Sequence, residues 1–193
     1  MAATRRPGEE SRTLLIVAAV EVINTEGYAA LSARRLAEKV GLKRQIVHYY
    51  FRTMNDLLLA VIRHYGEEGL ARFRKAFASA DPLRVLWEMP ADSSATSFAF
   101  IAMARHSPVI RAEVTRYLEA FRDLQVEAVA CHLARHHTAI PLPPEAIVMI
   151  LQSVSQSLAS EASLGVDRGH EIVRSAIEKL LLFGGSESTS DGF

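Results

Sequence analysis

The segment LSARRLAEKVGLKRQIVHYYF, from Leu31 to Phe51, contains two short helical patterns on either side of Gly41. Its apolar and small residues recur at the spacing of one buried helix side: Leu36, Ala37, Val40, Leu42, Val47 and Tyr50. Glycine adopts the left-handed conformation that a sharp turn between helices requires. The segment therefore predicts a helix-turn-helix.

The remaining side chains of this segment must point outward if the apolar ones point inward. Those expected to face out are Arg34, Lys43, Arg44, Gln45 and Tyr49. The second helix of this motif enters the major groove, where lysine, arginine and glutamine side chains can bond base edges. His48 and Tyr50 have polar tips that suit phosphate contacts at the groove's rim. A charge run alone is often just a solvated helix face. The combination with the turn motif instead favours DNA binding.

The distribution of charge supports this interpretation. The 193 residues contain 22 Lys/Arg and 22 Asp/Glu, so the formal net charge is zero. Residues 1–54, however, hold nine basic and five acidic side chains, and the rest of the chain has an acidic surplus. A basic head on an acidic body is expected when one end of a protein meets a polyanion.

The rest of the chain shows helical periodicity and almost no strand signals, so the sequence predicts an all-α fold. The predicted helices are about 9–26, 33–40, 43–50, 54–78, several between the prolines that follow, about 144–164 and about 168–183. We expect a helix-turn-helix DNA-binding domain over 1–53, with a flexible arm over 1–8. A helical effector-binding and dimerisation domain follows over 54–184, and a disordered tail over 185–193.

The sequence also indicates a cellular compartment. Cys131 is the one cysteine, so an intramolecular disulfide is impossible and a reducing cytoplasm is expected. Arg5 and Arg6 before an apolar run resemble a signal peptide, but Glu21 interrupts that pattern. No window approaches the roughly 18 apolar residues of a membrane span.

The segment from about Ser11 to Ile62 resembles the DNA-binding domain of the TetR family of transcriptional regulators. The resemblance includes the glycine turn, the aromatic cluster HYYF and the leucines after it. It implies a homodimer that binds a palindromic operator and holds a small-molecule effector in its C-terminal body. Carried over by position, it implies that the outward residues Arg34, Lys43, Arg44, Gln45 and Tyr49 read bases, and that Ser32, His48 and Tyr50 contact phosphate. His48 replaces a frequent tyrosine, and Met54 replaces a frequent lysine.

The last two helices are the candidates for dimerisation. The predicted interface residues, apolar or small, are Leu151, Ser153, Val154, Ser157, Leu158, Val173, Ile177 and Leu180. Two such helices from each subunit can form a four-helix bundle. The alternative is that these residues close the chain's own core.

An effector site should combine large apolar residues with a few polar groups. The candidates are Trp87, Met89, Phe98, Phe100, Met103, His106, Tyr117, Phe121, Met149 and Gln152. Any one of them is more often plain core. We expect an apolar or amphipathic organic ligand.

Other activities receive little support. His132 and His136 lie one helical turn apart, but no third metal ligand is near in sequence, so we expect no metal and no cofactor. Phosphate-binding glycine loops and nucleophile motifs are absent, which argues against an enzyme. The open alternatives are an activator, a regulator controlled by a protein partner, or an all-α enzyme or carrier.

Overall fold

The computed structural model describes residues 7–89, 94–136 and 140–183, and for residues 7, 94–98 and 180–183 the backbone alone. Over those ranges the regular structure is helical: α1 (Pro7–Glu26), a 3₁₀ turn (Tyr28–Ala30), α2 (Ala33–Val40), α3 (Arg44–Tyr50), α4 (Met54–Ser79), α5 (Pro82–Glu88), α6 (Ser94–Ala104), α7 (Pro108–His136), α8 (Pro144–Ser163) and α9 (His170–Phe183). The all-α prediction is confirmed. The predicted arm contributes Pro7 and Gly8 to α1, while its residues 1–6 and the predicted tail 185–193 lie outside the described residues.

Local side-chain caps explain where the N-terminal helices begin. Ser32 accepts a hydrogen bond from the Arg35 backbone N–H at 3.1 Å and so caps α2. Thr53 Oγ1 accepts from the Asp56 N–H at 3.1 Å, and Asp56 Oδ2 accepts from the Thr53 N–H at 2.9 Å. This reciprocal pair is a capping box, which satisfies two backbone donors at the start of α4.

Contacts divide the chain into two compact units. The first unit comprises Met1–Gly69 and Ala95–Leu118. Its helix α2 contacts both α1 and α3. Of the positions predicted inside, Leu36, Ala37 and Val47 are buried and Val40, Leu42 and Tyr50 are half-buried, while Leu15, Leu36 and Leu57 are fully shielded from solvent. Burying a leucine side chain stabilises the folded state by about 1.5–3 kcal/mol, so these residues hold the helix-turn-helix in place.

The second unit comprises Leu70–Ser94 and Glu119–Phe193. Its core brings α5 against α8, with Leu86 and Trp87 from the first and Val148 and Leu151 from the second. The buried Ser155 hydroxyl donates to the Trp87 carbonyl at 2.7 Å, which satisfies both polar groups inside this core.

Among the helices that the structure describes, none has the length and apolarity to cross a membrane. The predicted DNA-binding domain ends at residue 53, whereas the first unit extends to Gly69 and also includes Ala95–Leu118. The division of function at residue 53 stays a prediction.

Candidate functional site

The turn between α2 and α3 orients the predicted DNA-reading helix. Gly41 ends α2 with φ of 68°, the left-handed conformation that glycine adopts without strain. The next N–H, that of Leu42, returns to the Ala37 carbonyl at 2.9 Å, a contact that closes the helix end. Val47 then points inward and is 1% exposed, so the side of α3 opposite to it faces out.

The predicted base-contacting residues are all exposed. We call Lys43, Arg44, Gln45 and Tyr49 the reading surface, and the Tyr49 side chain is 79% exposed. Its ring meets that of Tyr50 edge to face, with centroids 5.1 Å apart, which restricts where both rings can turn. Outward orientation is thus as predicted, while contact with DNA stays a prediction.

Two basic residues of α2 pair with carboxylates of α1. Arg35 binds Glu26 through two hydrogen bonds of 2.7 Å, and Lys39 Nζ lies 3.0 Å from Glu21 Oε2. These pairs join α2 to α1. By contrast, Lys43 and Arg44 form no ion pair with any residue in the described ranges, so their charge is available to a polyanion.

Arg34, another predicted base contact, is exposed but held by a neighbour. Its Nε donates to Glu38 Oε1 at 2.9 Å, one turn along α2. This hydrogen bond raises the pKa of the Arg34 guanidinium above its ordinary value. Arg34 must leave Glu38 or share its donors to bind DNA.

The predicted phosphate contacts occupy three different environments. Ser32 is exposed, and because its oxygen accepts the capping bond, its hydroxyl proton is free to donate outward. His48 is exposed and its Nε2 lies 3.4 Å from Arg44 Nε, one turn apart on α3. Tyr50 is half-buried.

Two exposed residues beside the reading surface are missed by the sequence reasoning. Ile46 is 36% exposed in the first turn of α3. The sequence reasoning assigned Ile46 neither to the buried core nor to a contact with DNA. Its place next to Gln45 was the available signal. Arg52 is exposed and forms no ion pair within the described part of the chain. Its position just after the aromatic cluster was the available signal.

The predicted dimer residues separate into inward and outward groups. Leu151, Leu158 and Ile177 lie in the second unit's own core, with Val154 and Val173 packed against it. Their burial matches the alternative that the pattern left open, since a side chain already shielded adds little to a partner surface. The outward residues are Ser153 and Ser157. The Leu180 side chain lies outside the described residues.

The predicted effector residues fall in both units. The first unit holds Phe98, Phe100, Met103, His106 and Tyr117, and the second holds Trp87, Met89, Phe121, Met149 and Gln152. The side chain of Phe98 is outside the described set, His106 and Met149 are exposed, and Trp87 belongs to the second unit's core. A common pocket for them remains a prediction.

Tyr117 has a clear packing role in the first unit. Its hydroxyl donates to the Arg63 carbonyl at 3.1 Å, and burial raises the pKa of that hydroxyl. Its ring lies so close to Gly66 that a Cβ there would collide with it. Glycine at position 66 therefore lets α4 and α7 approach closely.

A cavity of about 940 Å³ lies in the second unit, between the end of α4, the start of α5 and one side of α7. Its lining combines apolar Phe77, Leu83 and Leu124 with the cationic side chains of Arg74 and Arg135. Such a mixture fits an amphipathic molecule. None of the predicted effector residues named above contributes to this lining. A second cavity, of about 200 Å³, includes Trp87.

The histidine pair lies at the larger cavity. The rings of His132 and His136 are 4.6 Å apart, and His132 Nε2 is 3.6 Å from Asp81 Oδ1. Within the described ranges no three His, Cys, Asp or Glu residues form a group that could hold a metal ion.

Comparisons with known proteins agree on a regulatory family. Residues 15–61 match the family model described as "Bacterial regulatory proteins, tetR family". The chain is 27% identical over 173 residues to the HTH-type transcriptional repressor LfrR of Mycolicibacterium smegmatis, covering 89% of each protein. It is also 33% identical over 111 residues to the HTH-type transcriptional regulator BetI of Yersinia pestis, covering 50% of this chain and 56% of that one.

Solved structures share the fold. A putative transcriptional regulator from Saccharomonospora viridis, solved in complex with choline, superposes with a TM-score of 0.75 at 16% identity. The superposition covers 90% of this chain and 96% of that one.

Proposed function

We propose that the chain is a repressor that leaves its palindromic operator when a small molecule binds. The premise is that it is a DNA-binding regulator of the TetR family. The family match at residues 15–61 confirms the resemblance inferred from the sequence. The observation that carries the proposal is the reading surface. It is exposed, it follows a glycine turn in the helix-turn-helix, and it presents two cations that form no ion pair with the residues the structure describes.

The reading surface and Arg34 supply the proposed base contacts. Arginine and lysine pair with guanine, and glutamine with adenine. Ser32, His48 and Tyr50 donate to phosphates that fix the position of α3 on the duplex.

Selection from a pool of random duplexes with the full-length chain tests this function. We expect an enriched inverted repeat bound by two chains, with half-site centres about one helical turn apart, roughly 34 to 36 Å. Enrichment of no sequence, or binding that is equal for all duplexes, would contradict it.

The proposed homodimer, acting in the cytoplasm, uses the exposed side of α8. Met149 and Ile150 are 49% and 45% exposed; Met149 and Ser153 lie opposite to the buried Leu151, and Ile150 and Ser157 lie on the flank beside them. Small serines permit close helix approach, and the two apolar residues supply area to bury.

For the effector we propose the 940 Å³ cavity of the second unit, which fits the expected amphipathic ligand. The solved relative in complex with choline supports a ligand-binding body in this fold. We favour this site over the residue set expected from the sequence because it offers one continuous lining, while that set stays an untested prediction.

A matched pair of variants tests the cavity. Ala128 lines it, so Ala128→Trp should place an indole ring in it and obstruct part of it, whereas Ala176→Trp adds the same side chain at an exposed position of α9. Amphipathic compounds that release operator DNA from the wild-type chain should fail on the first variant and act on the second. Equal responses of both variants would place the effector elsewhere.

Release is proposed to be a population shift. The two α3 helices of a dimer can engage one DNA face only at a suitable separation. A ligand that favours another separation therefore releases the protein from its operator. To shift the operator-bound fraction from 99:1 to 1:99, the ligand must bind the released state more tightly than the DNA-bound state by about 5.5 kcal/mol. Helix α4, which contributes residues to both units, is the element we expect to carry the shift. Light scattering should show dimers before and after ligand addition.

A further inference from the structure

Ile46 is the unusual member of the outward side of α3. With Val47 buried, a helix of 3.6 residues per turn places Gln45 and Tyr49 opposite to it, His48 on one flank and Ile46 on the other. Ile46 is 36% exposed in the free chain, beside side chains that can all form hydrogen bonds. A single exposed isoleucine is ordinary on a protein surface, so its position must supply the argument.

That position is the first turn of α3, which begins at Arg44. When a recognition helix enters the major groove, its N-terminal residues contact base edges. An isoleucine cannot bond to a phosphate oxygen or to a base donor or acceptor. The major groove offers one apolar group on the base edges, which is the C5-methyl of thymine.

We propose that Ile46 is a specificity-determining residue that selects thymine through its C5-methyl group. This inference rests on the proposed DNA-binding function and adds an apolar contact to the polar contacts of the reading surface. Burying one methyl group corresponds to roughly a fourfold change in affinity.

The test uses the full-length chain and duplexes selected from a random pool. Each thymidine of the selected site is replaced singly by deoxyuridine, which removes the methyl group and preserves base pairing. We expect one position in each half-site where this replacement weakens binding about fourfold, as burial of one methyl implies. In Ile46→Ala the same replacement should have almost no effect. Ile46→Val, which retains branched methyl groups, should keep part of the sensitivity.

Val109→Ala is the matched control, because Val109 is 58% exposed and lies on α7, away from α3 in sequence. This variant should retain the full thymine preference, and thermal melts should show that all variants fold. Failure to select any duplex would overturn the DNA-binding function together with this inference. A selected site with no sensitive thymidine, or one whose sensitivity persists in Ile46→Ala, would overturn the inference alone.

Discussion

Helices α3 and α8 both carry apolar residues at helical spacing, but they present them differently. Helix α3 buries Val47 and turns polar or charged residues to the opposite side. Helix α8 buries Leu151 and also exposes Met149 opposite to it and Ile150 on its flank. When a helix has one apolar side, its sequence alone indicates which side is buried. A helix with two apolar sides needs its neighbours before core and partner surface can be distinguished.

The largest expected effect tests the inward side of α8. Leu151→Ala should lower the free energy of unfolding by about 2–5 kcal/mol, because it leaves a cavity in the second unit's core. Ile150→Ala should change stability by less than about 0.5 kcal/mol as an exposed substitution, while weakening dimerisation.

Urea unfolding at several protein concentrations measures the first effect, since the contribution of dimerisation to the apparent stability depends on concentration and can be separated from that of the folded chain itself. Sedimentation over a dilution series measures the second. Equal losses of stability in both variants would mean that α8 has no distinct outward side.

The next effect concerns the reading surface of α3. Lys43→Ala and Arg44→Ala should each cost about 1–3 kcal/mol on the operator and relax the preference at one base position. His48→Ala should weaken operator and random DNA alike, since phosphate contacts are shared by all sequences. Competition binding with both DNAs measures this. If discrimination is unchanged in both the Lys43 and Arg44 variants, α3 does not read the bases.

A smaller effect separates the two roles of Ser32. Ser32→Ala should lower stability by about 1 kcal/mol, because the α2 cap at 3.1 Å is lost. Ser32→Asp retains a capping oxygen but places a negative charge where a phosphate is expected. Ser32→Ala should therefore have the lower melting temperature, and Ser32→Asp should have the lower affinity for DNA. Normal DNA affinity of Ser32→Asp would remove Ser32 from the contact set.

The smallest expected effect tests the start of α4. Met54 is half-buried, and it begins the helix whose Thr53 and Asp56 capping box is formed. Met54→Lys should cost the helix some tenths of a kcal/mol through its dipole. It should nevertheless tighten binding to operator and random DNA alike. The log K against log salt slope should steepen by about 0.9, the value for one added phosphate contact.

Titrations at several salt concentrations, run beside a thermal melt, measure both consequences. A lower melting temperature with an unchanged slope would assign Met54 to core packing instead.

The helix-turn-helix was predictable because its signals are local. Ser32 and Gly41 act through backbone groups within a few residues, so the bounds of α2 and the turn after it follow from the sequence. The outward direction of Gln45 and Tyr49 follows from periodicity once the inward side is known, whereas Lys43 and Arg44 are exposed because they lie at the start of α3. Ile46 was missed because an apolar side chain on the flank of α3 belongs neither to the buried apolar side nor to the polar side expected to contact DNA.

The body was less predictable because its contacts join residues far apart in the chain. Tyr117 is an ordinary large aromatic in sequence, and only the approach of α7 to α4 places it against Gly66. The lining of the 940 Å³ cavity likewise comes from three helices that no local pattern connects.

The amino-acid sequence alone thus specified the all-α fold, the DNA-binding head and the side of α3 that faces out, because helix caps, glycine turns and periodicity act over one or two turns. The side of α8 that faces its own core, the role of Tyr117 and the cavity that could admit a ligand depended on the tertiary structure. Those features depend on which distant surfaces meet, and apolar burial is non-directional, so composition and spacing do not choose the partner.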